Sequence, residues 1–243
     1  MTILCVSDHR DPRVYSSQIR DRFSEVDLIL GAGDLELTYY GFIVSSLNKP
    51  LLFVFGNHNL SEIGEYKRQF RDSSDPIGYS LSKPSYGSTF VSGKVKRVSG
   101  IIVAGLGGSR RYNGGPNQFS EFQMLLSIIK IVPRLMINRI KRGRYLDILL
   151  THAPPFDTGD KPDPCHRGFK VFRWFIRRFR PAYLIHGHIH LYDMNASRES
   201  IYYGTKIVNA YNHVTIELTL PIAEFDSGEE ADHAVSASEI AID

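Results

Sequence analysis

Seven residues of this 243-residue chain pair a useful chemistry with a recurring position. Asp8, Asp34, Asn57, His58, His152, His188 and His190 each stand at or just beyond the end of a short apolar run. Their carboxylate, amide and imidazole groups form a mixed oxygen and nitrogen donor set. Such a set suits borderline divalent ions such as Mn, Fe or Zn better than Ca or Mg. Six of them, Asp8, Asp34, Asn57, His152, His188 and His190, are candidate ligands for one ion or for two adjacent ions sharing a carboxylate. Two ions about 3.5–4 Å apart can activate a bridging water and stabilise in-line displacement at phosphorus. Singly, none of these residues is informative: His152, ahead of Ala153-Pro154-Pro155, taken alone reads as a strand cap. His9, His166 and His213 read as surface or packing residues, and His186 as structural or supporting.

What gives the set meaning is the elements that carry it. Residues 2–7 (TILCVS) run into Asp8, 27–31 (DLILG) into Gly33-Asp34, and 51–55 (LLFVF) into Gly56-Asn57-His58-Asn59. Residues 145–150 (YLDILL) end at Thr151-His152, and 183–185 run straight into His186-Gly187-His188-Ile189-His190. Residues 36–48 and 169–179 have the length and apolar spacing of helices, the second closed by Pro181. Lys94–Val98 and Ile101–Leu106 flank Ser99-Gly100 as a hairpin. Residues 201–203, 206–210 and 214–220 read as closing antiparallel strands. Short apolar strands, each ending in a polar cluster and linked by helix-length segments, predict an α/β fold. In such folds ligand sites gather at the carboxyl ends of the strands.

The ordered series Asp8, GAGDLE (31–36), GNHN (56–59), THAPP (151–155) and GHIH (187–190) resembles the calcineurin-like metallophosphoesterase superfamily. The resemblance spans residues 8–190 and rests on the order of the pieces, since each piece alone is weak. It implies a β-sandwich flanked by helices in αββα layers over residues 1–220, with a helical insert at about 118–144. It also implies metal-dependent hydrolysis of a phosphomonoester, phosphodiester or pyrophosphate through metal-bound hydroxide. Carried over by residue, Asp34 would bridge two metals. Asn57, His152 and His188 would complete one, and Asp8 and His190 the other. His58 would face the substrate and protonate the leaving oxygen or stabilise charge there.

One motif departs from the family pattern. Where the family has D-x-H, this chain has Asp8-His9-Arg10, and an arginine has no lone pair to offer a metal. Three outcomes stay open. Either His9 or Asp11 substitutes through a local bulge, or the first metal is held weakly, or Arg10 binds a phosphate oxygen with its fork of donors. A smaller departure is Asn59, where an acid is commoner. Gly105–Arg111 reads either as a phosphate-contacting loop with Arg110 or Arg111 as clamp, or as a flexible turn. Residues 119–144 are apolar at helical spacing, divided into two helices by Pro133 and lined with Lys130, Arg134, Arg139, Lys141, Arg142 and Arg144. They read as core-packed helices with a solvated basic side, or as a cap touching a membrane surface or an acyl chain.

Composition narrows the remaining choices. There is no basic leader followed by an apolar stretch and no apolar run long enough to span a bilayer. The two cysteines, Cys5 and Cys165, cannot form a disulfide framework, so a reducing cytoplasm is expected. The formal net charge of +3 conceals a basic body and an acidic stretch, since residues 224–243 hold seven acids and no Lys or Arg. Residues 221–243 therefore read as a disordered tail. A basic body suits a phosphorylated small molecule or a lipid-linked phosphate and permits peripheral membrane contact. Nothing in the chain resembles a separate nucleic-acid module, so a nuclease is disfavoured. A protein that keeps the fold for binding or scaffolding, its turnover weakened by Arg10, is the alternative. The oligomeric state is not legible.

Overall fold

Side chains alternating between the two faces of each strand organise the computed structural model, which describes residues 1–58, 60–65, 86–193 and 197–219. Asn59 and the acidic stretch 221–243 lie outside the described residues. The elements follow as β1 (Thr2–Ser7), α1 (Ile19–Arg22), β2 (Leu28–Gly31), α2 (Leu37–Leu47), β3 (Leu51–Phe53), β4 (Ser88–Phe90), β5 (Lys94–Val98), β6 (Ile101–Leu106), β7 (Ser109–Arg110) and β8 (Gln118–Phe119). The second half adds α3 (Glu121–Arg142), β9 (Ile148–Thr151), α4 (Lys170–Phe179), β10 (Tyr183–His186), β11 (Glu199–Tyr202), β12 (Thr205–Asn209) and β13 (Asn212–Glu217).

Two large sheets form, ordered β13-β1-β2-β3-β4 and β11-β12-β10-β9-β6-β5. Ile3, Cys5, Leu28, Leu30 and Leu52 of the first meet Ile101, Val103, Ile148, Leu150 and Val208 of the second in the central core. The intervening residues point outward. Leu4, Val6, Ile29, Leu51 and Phe53 are covered by α1 and α2, and Ile102, Ala104, Leu149, Leu184 and Ile207 by α3 and α4. This is the αββα sandwich that the resemblance implies. Burial on both faces explains why the strands read as unbroken apolar runs rather than as apolar and polar residues in alternation.

β1, β2, β3 and β4 are parallel, and so are β6, β9, β10 and β12, so their carboxyl ends face one way in each sheet. Hydrogen bonds then join the strand ends of one sheet to those of the other. Gly108 N–H, beyond β6, donates to the Phe55 carbonyl beyond β3 at 2.8 Å. His188 N–H, beyond β10, donates to the carboxylate of Asp8 beyond β1 at 3.0 Å. The β5–β6 hairpin has the register expected, Val98 opposite Ile101, with both turn residues at positive φ (Ser99 49°, Gly100 86°) as a tight hairpin requires.

Two expectations are corrected. β12 is antiparallel on one side only: it pairs antiparallel with β11, as expected, but runs parallel to β10, while β13 pairs antiparallel with β1. Pro133 does not divide the 119–144 segment either, for α3 is one helix of 22 residues. Its start is fixed by a capping box, Gln123 N–H donating to the Ser120 hydroxyl and Ser120 N–H to the Gln123 side chain. A buried face of Met124, Ile128, Ile131 and Leu135 holds both halves to the sheet. That packing outweighs the single backbone bond that proline deletes.

The same balance predicts that Pro133→Ala stabilises the protein. Pro133 is exposed, so no packing is lost. Restoring the helical bond is worth up to about 3 kcal/mol, less up to about 1 kcal/mol from a freer unfolded chain. A rise of several degrees in the thermal midpoint by circular dichroism is expected.

Candidate metal centre

The site is built on the lone pairs of two buried histidines. His152 follows β9, and its Nδ1 lies 2.8 Å from the Ala32 carbonyl. A carbonyl only accepts, so Nδ1 carries the proton and donates it. Nε2 is thereby turned toward Asn57 Oδ1 at 3.1 Å and Asp34 Oδ2 at 3.3 Å. Three acceptors facing one another in a buried space repel unless a cation sits among them. Without a metal that cation is a second proton. Burial opposes charge on His152, but the Asp34 carboxylate and its hydrogen bond, with Asp8 behind, push the imidazole pKa up to about 9. Burial likewise pushes Asp34 up, yet His152 and the His58 N–H, which donates to Asp34 Oδ1 at 2.7 Å, bring it to about 2.

His188 is set up the opposite way. Its Nε2 lies 2.7 Å from the Cys165 carbonyl, which fixes the proton there and leaves Nδ1 for the site. Burial, with His152 close by at 4.9 Å between ring centroids, lowers its pKa to about 3 and keeps the ring neutral. One oxygen of Asp34 and one ring nitrogen each of His152 and His188 fall within 4.8 Å of one another. Imidazoles oriented by backbone carbonyls, beside an ionised carboxylate, are the donor set of a divalent metal site once the metal displaces the second proton of His152. The residues present fit such an ion.

Asp8 and His190 form a looser flank. Both Asp8 oxygens accept from the His188 backbone N–H at 3.0 Å, and burial raises the Asp8 pKa. His190 Nε2 stands 3.8 Å from Asp8 Oδ1; its Nδ1 is 2.7 Å from the Tyr192 hydroxyl and its ring stacks on Tyr211. The backbone is bent hard to bring these groups together. Asp8, Asp34 and His188 all adopt left-handed φ values (66°, 58° and 68°), at about 1–3 kcal/mol each for non-glycine residues. At Gly56 a Cβ would overlap the Asp34 carboxylate, and at Gly187 it would overlap the Ser7 hydroxyl. The glycines that open the GNHN and GHIH motifs are thus clearance requirements.

An open cavity of about 240 Å³ lies over Asp8 and Asp34, lined further by His9, Arg10, Leu35 and Glu36. Arg10 stands at its wall, ion-paired with Glu36 and placed over the Tyr15 ring. His9 is exposed on the same cavity. Asp11 is turned away: its carboxylate holds His213 Nδ1 at 2.5 Å and accepts from the Arg13 N–H. Arg111 donates to the Gln123 side chain at 2.9 Å, while Arg110 is partly exposed in β7. His58 is exposed beside Asp34, held through its backbone.

Sequence reading missed several groups around the cluster. The Tyr112 hydroxyl accepts from Asn57 Nδ2 at 3.3 Å and so turns the amide oxygen inward. His166, read as a surface or packing residue, lies 5.5 Å from the His188 ring and pairs with Asp163. Tyr192 and Tyr211 frame His190. All come from loops with no motif, and the orienting groups on His152 and His188 are backbone carbonyls, which no side-chain pattern reveals.

The family model for calcineurin-like phosphoesterases matches residues 1–192, most of the chain. The chain belongs to that family. Calcineurin-like phosphoesterases are in general metal-dependent phosphoester hydrolases, which agrees with the donor set. No curated protein matches the sequence. One solved crystal structure is similar with a TM-score of 0.60 at 14% identity, covering 88% of this chain and 94% of the other. The crystal structure of TT1561 of Thermus thermophilus is similar at 0.57 and 15% identity, covering 87% of this chain and 89% of the other. Identities this low speak to the fold alone.

Competition between proton and metal at His152 gives a signed pH prediction. The raised pKa means that the charged imidazole stabilises the metal-free fold fully below about 6.5, and that this contribution is lost as pH rises through about 9. Affinity for Zn or Mn should therefore rise by about tenfold per pH unit toward 9 and then level off. Calorimetric titration in buffers of different ionisation enthalpy should show close to one proton released per ion near neutral pH.

Proposed function

We propose that this calcineurin-like phosphoesterase hydrolyses a phosphate ester or anhydride on a small-molecule or lipid-linked substrate, inside a reducing cytoplasm. The observation carrying this reading is the meeting of Asp34, His152 and His188 lone pairs at one buried point beside an open, partly basic cavity. A divalent ion, Mn, Fe or Zn, held there by Asp34, Asn57, His152 and His188 would neutralise phosphoryl oxygens and acidify a water. Asp34 anchors the donor set and fixes the His58 backbone through one oxygen. His58 then offers an exposed imidazole to the leaving oxygen as proton donor. Arg10, freed from Glu36 by a competing anion, can grip a phosphoryl oxygen with two N–H donors. His190 and Asp8 would be the ligands of a second metal, with Arg10 standing where the family places another ligand.

The test is hydrolysis of an aryl phosphate with added Mn. Asp34→Asn should lose nearly all activity, and His58→Ala should lower kcat by about 10²–10⁴. Full activity in a chelated, metal-free preparation would contradict the proposal.

Arg10 also supports a second reading, a fold-retaining binding protein with weak turnover, because its ion pair with Glu36 fills the wall beside Asp8. Arg10→His separates the two. In the hydrolytic reading the variant gains a second bound ion by metal counting, and kcat changes from a measurable wild-type value. In the binding reading wild-type turnover is weak or lost and only the variant acquires substantial activity.

A further inference from the structure

α3 carries two apolar faces where one would satisfy the core. Its inner face is buried on the six-stranded sheet. Opposite lie Phe122, Leu126, Ile129, Met136, Ile137 and Ile140, all exposed, Phe122 by 66% and Ile140 by 82%. At 3.6 residues per turn these six fall within an arc of about 100°, centred away from the core, and run for about 27 Å. They are half of the large exposed apolar side chains among the described residues, so this is a continuous stripe and not the scattered exposure normal for a soluble surface.

Charge decides what covers it. Lys130, Arg134 and Lys141 line one flank of the stripe, and all are exposed. The helix has a single acid, Glu121, whose oxygens are turned to the first N–H groups of α4, at Lys170 and Val171. A second copy laid along this face would set cations against cations with no carboxylate to pair them. The occupant must therefore bring apolar depth beneath the stripe and negative charge beside it, which is the layered chemistry of an anionic lipid surface. No helix among the described residues is long and apolar enough to cross a membrane, so the contact would be peripheral.

We infer that the outer face of α3 is a docking surface for anionic membranes. It reaches beyond the hydrolytic reading and needs no catalysis. The ridge sinks to the headgroup boundary while its basic flank meets the phosphates. The helix starts immediately after β8, and the turn between β7 and β8 holds Tyr112 against Asn57, so docking and the candidate metal centre share a structural neighbour.

Sedimentation of the full chain with vesicles tests this directly. Vesicles of phosphatidylcholine with phosphatidylglycerol should bind at least about tenfold more tightly than phosphatidylcholine alone, and added salt should erase the difference. Ile129→Glu and Ile140→Glu should each weaken binding by about tenfold. Ile201→Glu, at an exposed apolar site on β11, should leave it unchanged. Thermal melts of all three variants verify folding. Failure of the wild-type chain to bind either vesicle would overturn the inference, and so would equal binding to both. Concentration-dependent dimerisation abolished by Ile140→Glu, without vesicle binding, would overturn it in favour of a second copy.

Discussion

The imidazole of His152 faces two oxygens that cannot donate to it, and the rest of the site follows from that conflict. Its other nitrogen is committed to the Ala32 carbonyl, so the ring cannot escape by changing tautomer. A buried cluster of acceptors is costly unless a proton or a metal occupies it. The chain accepts that cost where it also bends Asp8, Asp34 and His188 into left-handed backbone and clears space with Gly56 and Gly187. Strain and electrostatic frustration concentrated at one point are the mark of a site selected for what it holds, not for the stability it adds.

The sandwich makes this concentration possible. Parallel strands in both sheets present their carboxyl ends to the same edge, and cross-sheet hydrogen bonds from the Gly108 and His188 amides bind those ends together. Apolar burial on both faces of each strand supplies the rigidity, since the ligands sit just beyond strands that cannot shift register without exposing their cores. Family membership, the fold and the donor set thus agree.

Much of the arrangement was legible in the sequence because the five strands that carry the site are apolar runs, each followed closely by a residue with a lone pair. The order Asp8, Asp34, Asn57, His152, His188 places five strand ends without any structure. Orientation was not legible. The Ala32 and Cys165 carbonyls that set the tautomers of His152 and His188 leave no trace in side-chain identity. Nor does the Asp11–His213 pair, which joins residues 202 positions apart and turns Asp11 from the cavity. Pro133 misled for a different reason: a local rule about one missing hydrogen bond met a helix held by its buried face and a capping box. α3 shows the converse, for its periodicity in sequence was blurred by having apolar residues on both sides.

On this account the acceptors around His152 exist to hold a cation. Anomalous diffraction at the zinc edge, from crystals equilibrated with Zn, measures this most directly. A peak about 2.0–2.2 Å from His152 Nε2 and from Asp34 Oδ2, with the His188 ring nitrogen and the Asn57 oxygen completing the shell, is the predicted result. No anomalous density at that point, with His152 Nε2 hydrogen-bonded directly to Asp34 in the presence of excess metal, would contradict it.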